Sequence, residues 1–367
     1  MTSILVDVII FANAGILNNL INFNIIITRE GKVMRERISV FAICILGIIG
    51  CFSCSSGKPK VGFMLPHMNI QRYLTEKEEF TLRINENGGE VIFMQANNDD
   101  QLQLKQIDTM LNAGIDILVL DPVNRFRRRM VRKAHRKGIK VISYDRLISN
   151  CEVDAFLSFD SRLTGRQMAE AVTRLKPEGT YVILGGDKSD LNAIGIDAGQ
   201  QEILTPFISN GKIKVDYKIF IEKYSYDDVV AEVKKYLDLS SKIPDAILTS
   251  SDVLAKGTVD ALKSRNLAGE ILVTGQGGEL SACISIVEGT QLMTVYKPVK
   301  KLAAMAADLS LKMIRNEKTD VLNQTINNGF KDIPAHLLVT IPVDSTNLRN
   351  TVIADGFIKE SDVYGDK

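Results

Sequence analysis

The sequence has no tryptophan, only three histidines and only five cysteines among 367 residues. So few cysteines cannot form the disulfide framework of a small secreted domain. The three histidines are scattered along the chain, and no HExxH motif is present, so the sequence does not favour zinc or metal-hydrolase chemistry. Neither sign of charge is in excess, because 45 Lys and Arg residues are balanced by 44 Asp and Glu residues. Without a basic surplus, we expect no nucleic-acid partner.

Catalytic and cofactor motifs are missing as well. There is no G-x-S-x-G elbow, and no lysine-containing phosphate loop. The glycine pairs at 185–186 and 277–278 follow predicted strands but match neither loop nor G-x-G-x-x-G. We therefore expect no enzyme activity, no cofactor and no metal ion.

The N-terminal region does contain a targeting pattern. Basic residues at 34–37 precede thirteen mostly apolar residues at 38–50, which predicts a signal peptide over 34–50. Ile48-Ile49-Gly50-Cys51 resembles the cleavage box of bacterial lipoproteins. This predicts lipidation of Cys51 followed by a lipidated tether over 51–59, with Cys54 as a poorer acceptor. The alternatives are an uncleaved membrane anchor or a buried strand with a chance cysteine.

Residues 1–33 do not fit this pattern, because their first positive charge is Arg29. They are interpreted as a doubtful leader or a misassigned start, with Met34 as the better initiator. The alternative is a genuine second apolar segment. In either case the signal pattern predicts an exported body, located in the periplasm or cell envelope and held at the membrane by its lipid.

From residue 60 onward, short apolar runs rich in β-branched residues alternate with stretches of helical period. Continuous apolar strands flanked by helices indicate parallel sheets covered on both faces. Ten strands exceed one compact core, so the sequence predicts an α/β protein with two doubly wound lobes that meet near Asp160-Ser161. The predicted strands cover 61–65, 91–95, 115–120, 140–144, 156–159, 181–184, 215–221, 246–249, 271–274 and 293–296.

Polar residues follow many of these strands, at the edge where open parallel sheets bind ligands. Each could simply cap the next helix, and Asp252 in particular has that alternative. Because such residues recur in both halves of the chain, we expect two polar rims that face each other across one cleft. The residues are Asp145-Arg146, Asp160, Asn192, Ser251-Asp252, Gln276 and Lys297.

The basic run at 125–137 is interpreted differently. On a helix, Phe126, Met130, Val131 and Ala134 form an apolar face, so the charges form a solvated outer face.

A cleft lined with carboxylates, amides and cations suits a neutral polyhydroxylated ligand, because each sugar hydroxyl both donates and accepts hydrogen bonds. An aromatic ring can pack against the C–H face of the sugar. Burial between two walls would be provided by hinged lobes that close around the ligand.

A set of short motifs is spread over the body from about residue 60 to 360: Val61-Gly62, Arg72, Ala96-Asn97, Gln106-Ile107, 138–141, Tyr144-Asp145-Arg146, Ser158-Phe159-Asp160, 211–215, 294–298, 327–329 and Lys331-Asp332. With these motifs the body resembles the periplasmic D-xylose-binding proteins of sugar ABC transporters, in the ribose-binding-like class. This resemblance implies two lobes joined by three crossovers: an N-terminal lobe of 58–160 plus 297–324, and a C-terminal lobe of 161–296 plus 325–360.

The resemblance also implies site residues. Arg72 falls on a sugar-contacting arginine and Tyr73 on a stacking tryptophan, although Tyr73 could instead pack within its own lobe. Asp145 and Arg146 match an acidic and basic pair. The second wall would consist of a matching amide, an opposing stacking residue and a hinge lysine, which are Asn192, Tyr224 and Lys297.

Two positions depart from the family pattern. Ser251 stands where the family has asparagine, and Gly277 stands where it has an aspartate that accepts sugar hydroxyls. Glu279 or Asp252 are candidates to replace that carboxylate. Each buried polar group that loses its partner costs about 1 to 3 kcal/mol, so these positions bear on which sugar is preferred.

Three functions follow from the resemblance and the fold. The first is a lipid-anchored, monomeric component that binds a monosaccharide and delivers it to an ABC permease. The second is a sugar-sensing partner of a membrane receptor or histidine kinase, and the third is a sugar-processing enzyme or regulator. The favoured ligand is D-xylose or a related aldose.

Overall fold

The computed structural model describes residues 57–124 and 128–365. Residues 1–33, the signal peptide at 34–50 and Cys51 with most of its tether lie outside the described residues, so those expectations remain predictions. The chain from Lys58 onward forms one compact unit that contains two β-sheets. In the described ranges no helix is both long enough and apolar enough to cross a bilayer.

The first lobe is built on a seven-stranded sheet. All its neighbouring strands are parallel except the last pair, β11 and β12. In chain order its strands are β1 (Lys60–Leu65), β2 (Glu90–Gln95), β3 (Ile117–Leu120), β4 (Lys140–Tyr144), β5 (Ala155–Phe159), β11 (Gln324–Asn327) and β12 (Asp332–Leu338), and across the sheet they run β11-β12-β5-β4-β3-β1-β2.

The second lobe is built on a six-stranded sheet, in which only the edge strand β13 runs antiparallel. Its strands are β6 (Gly179–Gly185), β7 (Ile213–Phe220), β8 (Ala246–Thr249), β9 (Leu272–Gly277), β10 (Met293–Tyr296) and β13 (Ile341–Val343), in the spatial order β13-β10-β9-β8-β6-β7.

Helices connect the parallel strands and cover both sheets. They are α1 (Gln71–Glu86), α2 (Asp100–Asn112), α3 (Arg128–Arg136), α4 (Ser161–Leu175), α5 (Leu191–Ser209), α6 (Tyr226–Leu239), α7 (Asp252–Lys263), α8 (Leu280–Val287), α9 (Val299–Ile314) and α10 (Glu360–Tyr364). The central strands β3, β8 and β10 are buried along their whole length, as expected for sheets that are covered on both faces. The predicted fold class, two doubly wound lobes with largely parallel sheets, is confirmed.

The ten strands predicted from the sequence are all present, with ends that differ by at most a few residues. The late strands β11, β12 and β13 were not predicted. β11 is short and mostly exposed, β12 contains Pro334, and β13 has three residues, so none shows the continuous apolar pattern of a central strand.

Strand pairing corrects the expected boundary at residue 325. The segment that forms β11 and β12 belongs to the first sheet, because β12 runs parallel to β5 from Ala335 opposite Phe156 to Leu338 opposite Phe159. The chain then enters the second sheet at Ile341, where β13 pairs with β10. The last crossover is therefore at residues 339–340, so 325–338 lie in the first lobe.

Candidate functional site

The carboxyl ends of both sheets carry the polar side chains expected from the sequence. In the first lobe, Arg72 lies in the first turn of α1, and Asp145 follows β4 directly. Arg72 Nη2 lies 3.0 Å from Asp145 Oδ1, and its Nε donates a 2.9 Å hydrogen bond to Glu76 Oε1 one helical turn later. One guanidinium thus holds two buried carboxyl groups.

Tyr73 is buried within the first lobe and does not present its ring as an exposed wall of the cleft. Its hydroxyl donates to Asp121 Oδ2 at 3.2 Å, and only 2% of the residue is exposed. The His67 ring packs edge-on against its ring, with centroids 4.8 Å apart. This geometry matches the alternative that Tyr73 packs against its own lobe.

Arg146 lies between carboxylates of the two lobes. Its Nη1 is 3.7 Å from Asp121 Oδ1 in the first lobe, and its Nε is 3.8 Å from Asp190 Oδ2 in the second. Both distances exceed those of a direct hydrogen bond. The Oδ1 atom of Asp121 is buried and has no hydrogen-bond partner among the described residues.

The second wall is formed by Asp190, Asn192 and Tyr224. Asp190 caps α5 by accepting from the Asn192 backbone N–H, and its Oδ2 accepts a 2.9 Å hydrogen bond from the Tyr224 hydroxyl. The Asn192 side chain accepts a hydrogen bond from Ser161 Oγ.

Local backbone conformation positions Tyr224. Lys223 and Tyr224 both have φ of 53°, which is uncommon for residues with a side chain. The Tyr224 ring lies over Gly186, where a Cβ atom would come within 2.1 Å of the ring. Gly186 is therefore required for the tyrosine to occupy this place. Asp145 also has a positive φ, of 55°, so the polar rim concentrates strained residues.

Lys297 follows β10 and completes the cluster at the crossover between the lobes. It is 4% exposed, and its Nζ lies 5.6 Å from the centre of the Phe159 ring. Burial lowers the pKa of the ammonium group, although Asp145 opposes this shift.

Burial and opposite charge act differently on the buried acids. Burial raises the pKa of Asp145, but Arg72, Lys297 and Arg146 outweigh it and bring the pKa below its usual range. For Glu76, burial dominates over Arg72 and raises the pKa to about 7. The pKa of Asp121 is also raised, because burial outweighs the attraction of Arg146. Of these three acids, Asp145 is therefore the one that stays ionised, whereas Glu76 and Asp121 hold their protons more strongly than usual.

Ser251, Asp252 and Gly277 form a separate group inside the second lobe. Ser251 caps α7 by accepting from the Leu254 backbone N–H. The Asp252 carboxylate accepts from Thr294 Oγ1 at 2.8 Å and from the Glu279 backbone N–H at 2.9 Å, so both oxygens are engaged within the lobe. Gly277 has φ of 140°, and a Cβ there would lie 3.1 Å from Asp252 Oδ2.

The two acids of this group differ from ordinary surface carboxylates. Burial raises the pKa of Asp252 to about 6, while hydrogen bonds from Glu279, Thr294 and Gly278 oppose the shift. Burial and the neighbouring Asp252 raise the pKa of Glu279 to about 7. Asp252 is therefore bonded within its own lobe, but it is not the helix cap, because Ser251 caps α7. Glu279 lies beside Gly277, the position that lacks a carboxylate.

Sequence reasoning missed three acids of the site: Glu76, Asp121 and Asp190. Asp121 directly follows β3, so the rule of polar residues at strand ends could have selected it. Asp190 precedes the selected Asn192 by two residues and has the cap position that the same rule covers. Glu76 is four residues after Arg72 on a helix, a spacing at which opposite charges pair.

Metal binding has no support in the described part of the chain, where no group of three His, Cys, Asp or Glu side chains could hold an ion.

Comparison with known proteins gives this geometry its context. The periplasmic binding protein domain matches residues 61–318. The D-xylose-binding periplasmic protein of Haemophilus influenzae is 35% identical over 325 residues, which cover 88% of this chain and 98% of that protein. The D-xylose-binding periplasmic protein of Escherichia coli is 32% identical over 331 residues, covering 90% of this chain and all of that protein.

Solved structures agree with the sequence matches. An ABC transporter solute-binding protein from Clostridium phytofermentans with bound β-D-glucose superposes with a TM-score of 0.76 at 25% identity, covering 83% of this chain and 99% of that one. A carbohydrate transporter solute-binding protein from Chloroflexus aurantiacus gives the same TM-score at 23% identity, which supports the fold. The chain therefore belongs to the periplasmic binding protein family, in its ribose-binding-like class, whose members bind substrates and are not enzymes.

Proposed function

We propose that the protein is an extracytoplasmic sugar-binding lipoprotein that captures a monosaccharide between its lobes and delivers it to an ABC importer. The proposed ligand is D-xylose or a related aldose. The observation that carries the proposal is the place of Arg146, whose guanidinium lies 3.7 Å from Asp121 and 3.8 Å from Asp190, carboxylates of opposite lobes.

These spacings favour a ligand that inserts hydroxyl groups among the three side chains. Arg146 can donate to sugar oxygens, while the carboxylates accept hydrogen bonds from sugar hydroxyls. The Oδ1 atom of Asp121, without a hydrogen-bond partner among the described residues, could accept from a sugar hydroxyl when the acid is ionised, or donate to one when it is protonated. A buried acceptor left without a donor costs free energy, so a polyhydroxylated ligand would stabilise this arrangement.

The charge balance of the cluster favours an uncharged ligand. Arg72 is paired with the ionised Asp145, and Arg146 lies between Asp121 and Asp190, so neither guanidinium needs an anionic ligand. A charged substrate would leave one of these groups without its partner. Tyr224, half-buried and tied to Asp190, supplies an aromatic surface for the apolar face of a sugar ring.

The proposed mechanism is lobe closure without chemistry. Arg72, Asp145 and Arg146 of the first lobe would hold the sugar first, and Asn192 and Tyr224 of the second lobe would complete its hydrogen bonds as the lobes close. Lys297 and Ser251 are proposed contacts at the rim. The closed form would then be recognised by the permease, while acylated Cys51 keeps the protein at the outer surface of the membrane.

Isothermal titration calorimetry with D-xylose, D-ribose, L-arabinose and D-glucose tests the proposal. We expect saturable heat with D-xylose and weaker or no heat with at least one of the others. Failure of all four aldoses to bind folded protein would refute sugar capture at this site. Mass spectrometry of the protein extracted from membranes tests acylation of Cys51 independently.

A further inference from the structure

The outer face of α3 carries four exposed arginines. In a helix with 3.6 residues per turn they fall within an arc of about 100°, opposite the buried stripe of Met130, Val131 and Ala134. We name this set the basic face: Arg128, Arg129, Arg132 and Arg136.

Among the residues that the structure describes, the basic face has no charge partner. No carboxylate of the described residues pairs with any of its four guanidiniums. Nearby acids are already occupied: Asp108 pairs with Lys133 at 2.6 Å, and Asp154 pairs with His135 at 2.8 Å. A chain with a net charge of only +1 therefore concentrates four unpaired positive charges on nine residues of helix.

The same edge of the first lobe receives the proposed membrane tether. β1 begins at Lys60, and Val61 pairs with Ile117, which in turn pairs with Lys140 at the start of β4. Val61 and Lys140 are thus two strand spacings, about 10 Å, apart. α3 ends four residues before Lys140, so its C-terminal end lies at the edge where the chain enters the lobe.

The tether is short. Nine peptide units separate Cys51 from Lys60, and even fully extended they span only about 30 Å. A lipid on Cys51 would thus hold this edge of the first lobe no farther from the bilayer surface than that length. A basic surface held there is attracted to anionic headgroups.

We propose that the basic face of α3 binds the anionic phospholipid headgroups of the membrane that holds the lipid anchor. The proposal rests on the proposed function through the acylation of Cys51. Such a contact would orient the body of the protein on the membrane that the lipid anchor already holds.

Hydrogen exchange of the full lipidated protein in two kinds of bilayer tests this contact. One bilayer is phosphatidylcholine alone, and the other contains phosphatidylglycerol as well. We expect several-fold slower exchange over 128–137 in the anionic bilayer only, with the difference abolished by high salt. Equal exchange in both bilayers, or protection in phosphatidylcholine alone, would overturn the proposal.

Charge reversal provides the matched comparison. In Arg129→Glu/Arg136→Glu the protection over 128–137 should disappear, whereas Lys234→Glu/Lys242→Glu, with the same change in charge on the second lobe, should retain it. Unchanged melting temperatures would show that both variants fold. Protection that survives reversal of the basic face would contradict lipid binding by these arginines.

The anchor and the contact can fail separately. If mass spectrometry finds no lipid on Cys51, the anchor proposal fails, and the contact is then tested by flotation of the same protein with vesicles. Binding to phosphatidylglycerol vesicles that falls at least about tenfold on reversal of Arg129 and Arg136 would support the basic face. Absence of such binding would overturn it, while sugar titration reports on the ligand site in either case.

Discussion

Asn192 donates a 3.3 Å hydrogen bond from its side-chain Nδ2 to the backbone carbonyl of Asp145. Asn192 belongs to the second lobe and Asp145 to the first, so the two polar rims are in direct contact. The facing walls expected from the sequence are therefore brought together at this point. Contact through a backbone carbonyl also leaves the Asp145 carboxylate to Arg72 and Lys297.

Replacement of Arg146 by alanine tests the central cation. Arg146→Ala should weaken D-xylose binding at least tenfold, about 1.4 kcal/mol, because it removes charge-assisted hydrogen bonds in a buried site. Titration calorimetry gives the affinity. Arg83→Ala is the matched control, because Arg83 forms an exposed ion pair with Asp308 and should leave binding unchanged. Equal affinities of the wild type and Arg146→Ala would refute the assigned role.

Asp190→Asn separates the charge of this residue from its cap. Asparagine caps a helix as well as aspartate, so stability should change by less than about 1 kcal/mol. Loss of the anion that faces Arg146 and accepts from Tyr224 should lower sugar affinity by about tenfold. Asp99→Asn changes a comparable cap on α2, at an exposed position, and should not affect binding. A similar loss in both variants would indicate a general effect of cap changes.

Gly277→Asp tests whether the missing family carboxylate can be restored. A side chain at φ of 140° is strained, and its Cβ would crowd Asp252, so we expect a loss of about 1 to 3 kcal/mol in the free energy of unfolding. Gly277→Asn has the same shape without the charge. At pH 8 the aspartate variant should be the less stable of the two, because its carboxylate is repelled by ionised Asp252. The difference in free energy of unfolding between the two variants should become smaller below the Asp252 pKa of about 6. Equal stabilities at pH 8 would exclude charge repulsion.

Glu76 predicts a pH dependence of stability. Its pKa rises from 4.5 unfolded to about 7 folded, so the folded state retains a proton that the unfolded state releases. The stability that this provides is complete below pH 4.5 and is lost as the pH rises through 7. Relative to Glu76→Gln, the wild type should therefore lose up to about 3 kcal/mol between these values. Urea unfolding of both proteins across this pH range measures the difference. A constant difference would contradict the raised pKa.

The architecture was largely predictable because its central strands are buried on both faces. β3 and β8 are short, nearly continuous apolar runs, which is the pattern of a strand buried on both faces. β11 and β12 could not be found this way. The register of β12 depends on pairing with β5, a contact across more than 170 residues that leaves little trace in local sequence, and β11 pairs in turn with β12.

Part of the site was predictable from one rule, that polar residues at the carboxyl ends of parallel strands line a ligand site. Asp145 and Arg146 follow β4 of the first sheet and Lys297 follows β10 of the second, and the structure brings them together where the carboxyl ends of the two sheets meet. Asp190 and Glu76 depend on tertiary partners, because only the fold shows that Asp190 meets Tyr224 and that Glu76 lies under Arg72. The burial of Tyr73 is likewise set by Asp121, which comes from another strand end.

The late position of β12 in the chain bears on how the protein is made. β12 lies between β5 and β11 in the first sheet, yet it is synthesised after every strand of the second sheet except β13. Until then the edge of β5 has no neighbour on that side, and closing so large a loop is slow. The first lobe of a newly synthesised chain therefore completes its sheet only after most of the second lobe has been made. Such a delay would suit export, because a chain passes through a translocation channel before it has folded.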